Sequence, residues 1–315
     1  MSSAEQPELV GPDFGPSDTG VFEAGDDLGV IVAHRQTPTR LFWRRFSRNK
    51  PAILGAFVVL VMVLVAILAP ILAPYNPTTQ DLLNMTAAPS HHHILGTDDL
   101  GRDVLSRLIY GSQISVAASI LPVVLALAIG VPLGLITGYF SGLWDDVIMR
   151  IVDAMQAFPF LVLALALASV LGPGFINAMI AVGIGFVPAF IRIVRGQVLT
   201  VKEHDYILCA RSIGTSHSRI LRLHILPNSL GPLLVQTSVS MAGAVLAEAG
   251  LSFLGLGVQP PTPSWGQMLT VAQTYINSEH GQWLAIFPGI AIFLAVLAFN
   301  LLGDGIRDGL DPRLG

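Results

Sequence analysis

Long stretches without a single charged residue dominate this chain. Residues 108–144 form one uncharged run of 37 residues, and residues 154–191 form another of 38. Only 12% of the 315 residues are charged and 52% are hydrophobic, whereas about a quarter of an ordinary globular chain is charged. A water-soluble domain of this composition could not cover its surface. The sequence therefore predicts an all-α, polytopic membrane protein.

A helix needs about 20 apolar residues to cross the hydrocarbon, and six segments meet this requirement. The first, 51–73, is too long and too far from the N-terminus for a signal peptide. The next run predicts one helix over about 112–139. The alternative is a pair of short helices there, which would reverse the orientation of all the later spans. Gly-Pro-Gly at 172–174 predicts a tight turn that divides residues 154–191 into two spans. The last two spans are expected at about 228–256 and 283–303.

The distribution of basic residues gives the orientation. Fifteen of the 17 Lys and Arg residues flank the spans on one side, and only Arg102 and Arg107 lie on the other. By the positive-inside rule, both termini are cytoplasmic. Six spans predict the same arrangement. The expected location is the inner, or plasma, membrane, crossed several times.

The predicted organisation follows from these boundaries. In the external loop, Thr97 is expected to cap an amphipathic helix over about 97–109 that lies on the outer membrane surface. The segments are a disordered acidic cytoplasmic tail (1–34), a basic juxtamembrane segment (35–50), a first transmembrane helix (51–73), an external loop with the amphipathic helix (74–111), a five-helix core (112–303) that includes a cytoplasmic loop (196–227), and a cytoplasmic C-terminal tail (304–315).

The sequence argues against an ATP site in this chain. A phosphate-binding P-loop needs a lysine directly after a glycine, but Lys50 follows an asparagine and Lys202 follows a valine. No arrangement of nucleophile and base suggests catalysis within the spans. We therefore expect a protein that is not an enzyme. If transport is driven by ATP, another chain must hydrolyse it.

The cytoplasmic loop 196–227 predicts two helices joined by a sharp turn. Thr200 and Glu203 fit a capping box at the start of the first helix, which would run to about Ser212. Gly214 suits the left-handed position that ends it. Ser216 is placed to cap a shorter basic helix that Pro227 would end. Such a rigid knob, joined directly to spans at both ends, would transmit force.

This loop resembles the EAA loop of ABC-importer permeases. The family pattern, Glu-Ala-Ala followed by Gly and then by Pro thirteen residues later, falls on Leu208, Cys209, Ala210, Gly214 and Pro227. The Gly-to-Pro spacing is intact. Leu and Cys replace the first two residues of the pattern, so nearby acidic groups would have to compensate for the missing glutamate.

Three further segments resemble the C-type permeases of dipeptide and oligopeptide importers. They are residues 95–107 before the second span, residues 248–266 at the end of the fifth, and residues 300–308 at the end of the last. Together with the loop, the resemblance covers about residues 40–313. It implies a permease subunit of an ATP-driven importer for short peptides.

The resemblance also implies the partners and the coupling residues. The partners would be a second, B-type permease, two cytoplasmic ATPase subunits or one fused ATPase, and an external peptide-binding protein; ATP and magnesium would bind to the ATPases, and this chain would hold no cofactor. The expected contacts with the ATPases are Cys209, Ala210, Gly214, Thr215, Ser216, His217, Arg219, Ile220 and Pro227.

Two other features leave alternatives open. Glu248 lies inside the fifth span, where a charge is costly, so it is either a candidate for the translocation path or the partner in a structural hydrogen bond. His91, His92 and His93 lie without nearby cysteine or carboxylate ligands, and we expect no metal there. The alternative function is an ion-coupled secondary transporter, which would usually show broken helices and midplane charges.

Overall fold

The computed structural model describes residues 38–140, 142–277 and 281–310. Within these ranges the chain is almost entirely helical, and its only β-type pairing is an isolated bridge between Thr97 and Asp103. The predicted acidic tail, 1–34, lies outside the described residues. The helices are α1 (Pro38–Phe46), α2 (Lys50–Ile67), α3 (Ala69–Leu72), α4 (Val104–Tyr139), α5 (Leu143–Gln156), α6 (Phe160–Leu171), α7 (Phe175–Val201), α8 (Asp205–Ser212), α9 (His217–Ile220), α10 (Leu226–Phe253), α11 (Trp265–Tyr275) and α12 (Gln282–Leu310).

Five helical runs of the described chain are long and apolar enough to cross a membrane: α2, α4, α7, α9 together with α10, and α12. The sixth span is formed only if α5 and α6 count as one broken span, because these two helices meet at an angle of 96°. The predicted third span, 154–171, is therefore wrong in its boundaries. Pro159 disfavours a helical conformation at Phe158, so α5 ends at Gln156 and α6 has only 12 residues.

The amphipathic helix predicted at 97–109 is also wrong. Helix α4 begins at Val104 and continues without a break to Tyr139, so the alternative of two short helices is excluded as well. The cap is not Thr97 but Asp103, whose carboxylate accepts a hydrogen bond from the Ser106 N–H over 2.7 Å. Thr97 instead lies in the preceding loop, where its hydroxyl accepts a hydrogen bond from the Ala87 N–H.

A stripe of glycines packs α4 against α7. A Cβ atom added at Gly130, Gly134 or Gly138 would lie 2.6–2.7 Å from the Cβ atom of Phe190, Val194 or Val198, respectively. Because real side chains do not approach so closely, the two helices can meet only where α4 carries glycine. These three glycines therefore pack within the chain.

The last helix, α12, packs against the first two helices, α1 and α2. Helix α12 runs to Leu310, so the tail predicted to start at 304 is helical up to that residue. Gly305 packs directly against Ala52 of α2, and a Cβ atom at Gly309 would lie 2.7 Å from the ring of Phe42 in α1. The Nδ2 atom of Asn49 also donates to Asp308 over 2.9 Å.

Candidate functional site

The segment from Asp205 to Ile220 forms the predicted helix-turn-helix knob; we call it the coupling segment. Gly214 has a φ of +79°. The Thr215 N–H donates to the Ala210 carbonyl over 3.1 Å, and the Gly214 N–H donates to the Arg211 carbonyl over 2.9 Å. These two bonds form a Schellman motif, in which a glycine reverses the chain and satisfies the last carbonyls of a helix. The predicted turn at Gly214 is confirmed.

The start of the coupling segment differs from the prediction. Helix α7 extends to Val201, so Thr200 lies inside a helix and its hydroxyl donates to the Gly196 carbonyl, one turn earlier. Such back-bonding is the usual role of a threonine within a helix. Helix α8 begins after His204, and the capping box predicted for Thr200 and Glu203 is therefore wrong.

The end of the coupling segment is continuous with the next span. Leu221–Ile225 form a π-helical turn, in which the Leu226 N–H donates to the Leu221 carbonyl, and α10 follows directly. Pro227 does not end the helix, contrary to prediction, because the π-helical turn directly before it already interrupts the regular hydrogen-bond ladder, and α10 continues past the proline. Residues 217–253 consequently form one continuous helical run.

Buried contacts fix the coupling segment to the end of α4. Ile207 and Ile220 are fully buried and belong to the same apolar cluster as Tyr139. The Tyr139 hydroxyl lies 2.8 Å from Nδ1 of His217, and the Arg211 guanidinium lies 5.0 Å from the centre of the Tyr139 ring. Helices α8 and α9 are therefore both held by the last residue of α4.

The opposite surface of the coupling segment is exposed and partly apolar. Ile213, next to the turn, is 83% exposed, and Leu208 is 47% exposed. Cys209 is an exposed free thiol, and Ser216 and Arg219 are also exposed. Apolar side chains presented on a rigid turn, with polar neighbours, are typical of a protein contact surface.

The basic residues of α7 are engaged within the chain. Arg195 forms a bidentate pair with Asp145 of α5 over 2.7 and 2.8 Å, and Arg192 pairs with Asp153 of the same helix. Arg219 belongs instead to the coupling segment, and within the described residues it forms no ion pair. It remains accessible to another chain.

A buried ionic network occupies the other end of α4. Asp98 accepts a hydrogen bond from Nε of Arg102 over 2.6 Å and lies 3.3 Å from Nε of Arg107. Arg107, which is almost fully buried, donates to the Pro77 carbonyl and to the side chain of Gln267. The conspicuous 95–107 motif thus ties the loop 74–103 to α4 and α11.

The histidine triplet contributes one residue to this region. Nδ1 of His93 lies 2.9 Å from the Asp103 carboxylate, and its ring packs against Tyr75. His91 and His92 are exposed. Within the described ranges, no group of three or more His, Cys, Asp or Glu residues is arranged to hold a metal ion.

Helix α11 was not predicted from the sequence. This helix packs beside Glu248. Its Gly266 packs directly against the backbone of Ala249 in α10. Glu248 is only 1% exposed and accepts a hydrogen bond from the Ser252 hydroxyl over 2.7 Å. This contact favours the structural alternative, whereas a role of Glu248 in the translocation path stays a prediction. The Ser-Trp-Gly motif at 264–266, with Ser264 as a bonded N-cap, was the available signal for α11.

Two family models match the chain. Residues 130–315 match the model described as binding-protein-dependent transport system inner membrane component. Residues 37–89 match the N-terminal transmembrane domain of oligopeptide transport permease C. The first match alone covers more than half of the chain.

Curated relatives match over nearly the same length. The glutathione transport system permease protein GsiD of Pectobacterium atrosepticum is 46% identical over 89% of this chain and 92% of its own. The di/tripeptide transport system permease protein DppC of Pseudomonas aeruginosa is 44% identical over 88% of this chain and 93% of its own. Among solved structures, a chain of the inward-facing methionine ABC transporter MetNI matches with a TM-score of 0.55 and 18% identity, covering 66% of this chain and 97% of its own. This likeness concerns the fold.

Proposed function

The chain belongs to the family of binding-protein-dependent transport system inner membrane components, and from this membership we propose that it imports short peptides, driven by ATP hydrolysed in a partner. Relatives named for glutathione and for di- and tripeptides support a short-peptide substrate. The sequence provides no glycine-lysine pair for a phosphate-binding loop, and in this proposal ATP and magnesium would bind to the ATPase partners.

The observation that carries the proposal is the construction of the coupling segment. Its outer surface presents Ile213, Leu208 and Arg219, while its inner side is fixed to Tyr139 at the end of α4. It also continues without a break into α10. A displacement applied to this surface would therefore reach two spans directly, because packed helices move as rigid bodies rather than deforming continuously.

The coupling residues keep separate roles in this proposal. Gly214 and Thr215 form the turn, Ala210 accepts the bond that closes it, and Ser216 starts the second helix. Cys209 and Arg219 lie on the exposed side, where an ATPase subunit would dock, whereas His217, although exposed, bonds to Tyr139 on the inner side. Ile220 anchors the second helix from inside. Pro227 lies beyond the π turn and belongs to the start of α10 rather than to the docking surface.

The orientation and the remaining partners are part of the same proposal. Because fifteen of the basic residues flank the side that bears the coupling segment, both termini would lie in the cytoplasm. A single chain of this family would form half of a pathway, so a second, B-type permease would complete it. An external peptide-binding protein would deliver the substrate at the end of α4 that carries Arg107.

The native thiol of Cys209 allows a direct test, since it is the only cysteine in the chain. The complex is purified from membranes in mild detergent, with single cysteines introduced in the contact groove of the ATPase, and a short thiol-specific cross-linker is added. We expect a cross-linked product that depends on Cys209. In the matched control, Cys209 is replaced by serine and a cysteine is placed at Gln80, an exposed residue of the loop 74–103.

The control should give no cross-link to the ATPase. Cross-linking from the Gln80 position but not from Cys209 would contradict the proposed orientation. If no ATPase co-purifies with the chain under gentle extraction, coupling to ATP is contradicted. The ion-coupled alternative would then have to be tested, although nothing in the family membership favours it.

A further inference from the structure

An apolar patch lies on the loop between α3 and α4. Leu83 is 96% exposed, Leu82 is 63% exposed and Met85 is 47% exposed; we call these three residues the outer loop patch. Single exposed leucines are common on protein surfaces. Two consecutive leucines and a methionine, exposed together outside the membrane-spanning helices, are better explained by a binding function.

The chain holds the outer loop patch in one conformation. Residues 82–84 form a single 3-10 turn that Asp81 caps, because its carboxylate accepts hydrogen bonds from the Leu83 N–H (3.1 Å) and from Nδ2 of Asn84 (2.7 Å). These bonds lower the pKa of Asp81, with the Asn84 side chain contributing most. The exposed leucines are thus presented on a turn that is already ordered, which reduces the entropic cost of binding.

Hydrogen bonding connects this 3-10 turn to the loop that contains the buried ionic network. The Asp81 N–H donates to the Leu100 carbonyl over 3.1 Å, and the Asp81 carbonyl lies directly against Gly101, where no Cβ atom could fit. Leu100 and Gly101 belong to the loop that Asp98 and Arg102 fasten. The patch is therefore fixed, through this loop, to the first turn of α4.

Charge indicates what the patch can bind. Between residues 74 and 103 the only basic side chain other than histidine is Arg102, and it is buried. Asp81, by contrast, is partly exposed and directly precedes the patch, whereas Asp99 is paired with Arg102. Carboxylates beside the leucines oppose insertion into hydrocarbon, and the absence of an exposed Lys or Arg in this loop disfavours anionic headgroups.

The size of the patch distinguishes between two protein partners, a second permease and a soluble protein that delivers substrate. A permanent contact with a second permease would bury a large and mainly apolar surface. Three apolar side chains among carboxylates and amides suit a contact that forms and dissociates, as small polar-rimmed interfaces do. A soluble partner that delivers substrate and then leaves fits this description.

We propose that the outer loop patch is a docking site for the external binding protein, which would meet it with an apolar recess bordered by Lys or Arg side chains. This inference rests on the proposed function and adds to it the surface that receives the binding protein. Leu83 would enter the recess, and the Asp81 carboxylate would face its basic border.

The test compares binding of the purified binding protein to the complete transporter in lipid nanodiscs. The probe is the peptide-binding protein that stimulates ATP hydrolysis by the unmodified complex. Leu83→Asn should weaken its binding at least tenfold and abolish the stimulation, while basal ATP hydrolysis stays unchanged. Leu83→Met should bind nearly normally. Leu83→Lys should bind more weakly than Leu83→Glu, because the border of the recess is basic. His91→Asn, an exposed change in the same loop, is the matched control.

Each contrary result overturns the inference. Normal binding by Leu83→Asn, or an equal loss in His91→Asn, shows that the patch is not the docking site. Loss of the second permease from the purified Leu83→Asn complex would assign the patch to the permease interface instead. If no binding protein changes ATP hydrolysis by the unmodified complex, the proposed function fails as well. If the binding protein binds and stimulates the Leu83→Asn complex normally, only the assignment of the patch as the docking site is overturned.

Discussion

Substitutions at Gly214 would test the coupling turn through the backbone alone. No atom lies within 4 Å of the position that a Cβ atom would take there, so a side chain would meet no steric obstacle. The only cost of the side chain comes from the backbone, because φ is +79° at this position. For an L-residue, this left-handed conformation costs about 1–2 kcal/mol. This energy corresponds to a roughly 5- to 30-fold shift in the equilibrium between the formed and the broken turn.

The cost depends on residue type in a known order. Asparagine adopts left-handed conformations readily, alanine less so, and β-branched valine least of all. We therefore expect coupling to fall in the order Gly, Asn, Ala, Val, with Gly214→Asn close to the unmodified protein and Gly214→Val several-fold lower. Coupling is measured as peptide taken up per ATP hydrolysed by the complex in proteoliposomes.

The order of the variants is what makes this experiment decisive. Equal activity of Gly214→Val and the unmodified protein would refute the idea that this turn transmits force. Equal loss in Gly214→Asn and Gly214→Val would also refute the reasoning, because a backbone cost cannot act equally on the two. A matched control is Gly196→Ala, where the added methyl group also has open space but the glycine lies within a helix.

Three further predictions follow from the packing. Tyr139→Phe keeps the ring but removes the hydrogen bond to His217, so coupling should fall by an amount equivalent to about 1 kcal/mol in the same uptake assay, with assembly unchanged. Gly134→Leu should prevent the close approach of α4 and α7 and lower the thermal stability of the complex, measured by fluorescence-detected gel filtration, whereas Gly196→Ala should not. Arg107→Met leaves the carboxylates of the buried ionic network without one of their cations and should lower the same stability, an expectation that an unchanged melting temperature would contradict.

The sequence predicted the class of fold because hydrocarbon imposes simple rules. Uncharged runs of sufficient length, turn residues such as the Gly-Pro-Gly at 172–174, and the side preference of basic residues are all local signals. Gly214 was predictable for the same reason, since a left-handed helix end has few alternatives to glycine. These features need no knowledge of what packs against them.

The errors arose where tertiary contacts decide between local alternatives. Thr200 fits a cap in sequence, but α7 continues past it because its buried face extends to Val201. Pro227 suggests a helix end, yet the helix continues past it, directly after the π turn at Leu221–Ile225. Thr97 resembled a helix cap, whereas Asp98 beside it pairs with the buried side chains of Arg102 and Arg107. Helix α11, short and packed against α10, had no long apolar run to reveal it.

Uptake into proteoliposomes that contain the complete complex tests the central claim most directly. Radiolabelled glutathione or a tripeptide is supplied with its binding protein on one side and ATP on the other, and ionophores collapse all ion gradients. The account predicts that uptake continues, requires hydrolysable ATP, and is several-fold lower in Gly214→Val while ATP binding remains. Uptake that stops with the ionophores and proceeds without ATP would contradict it.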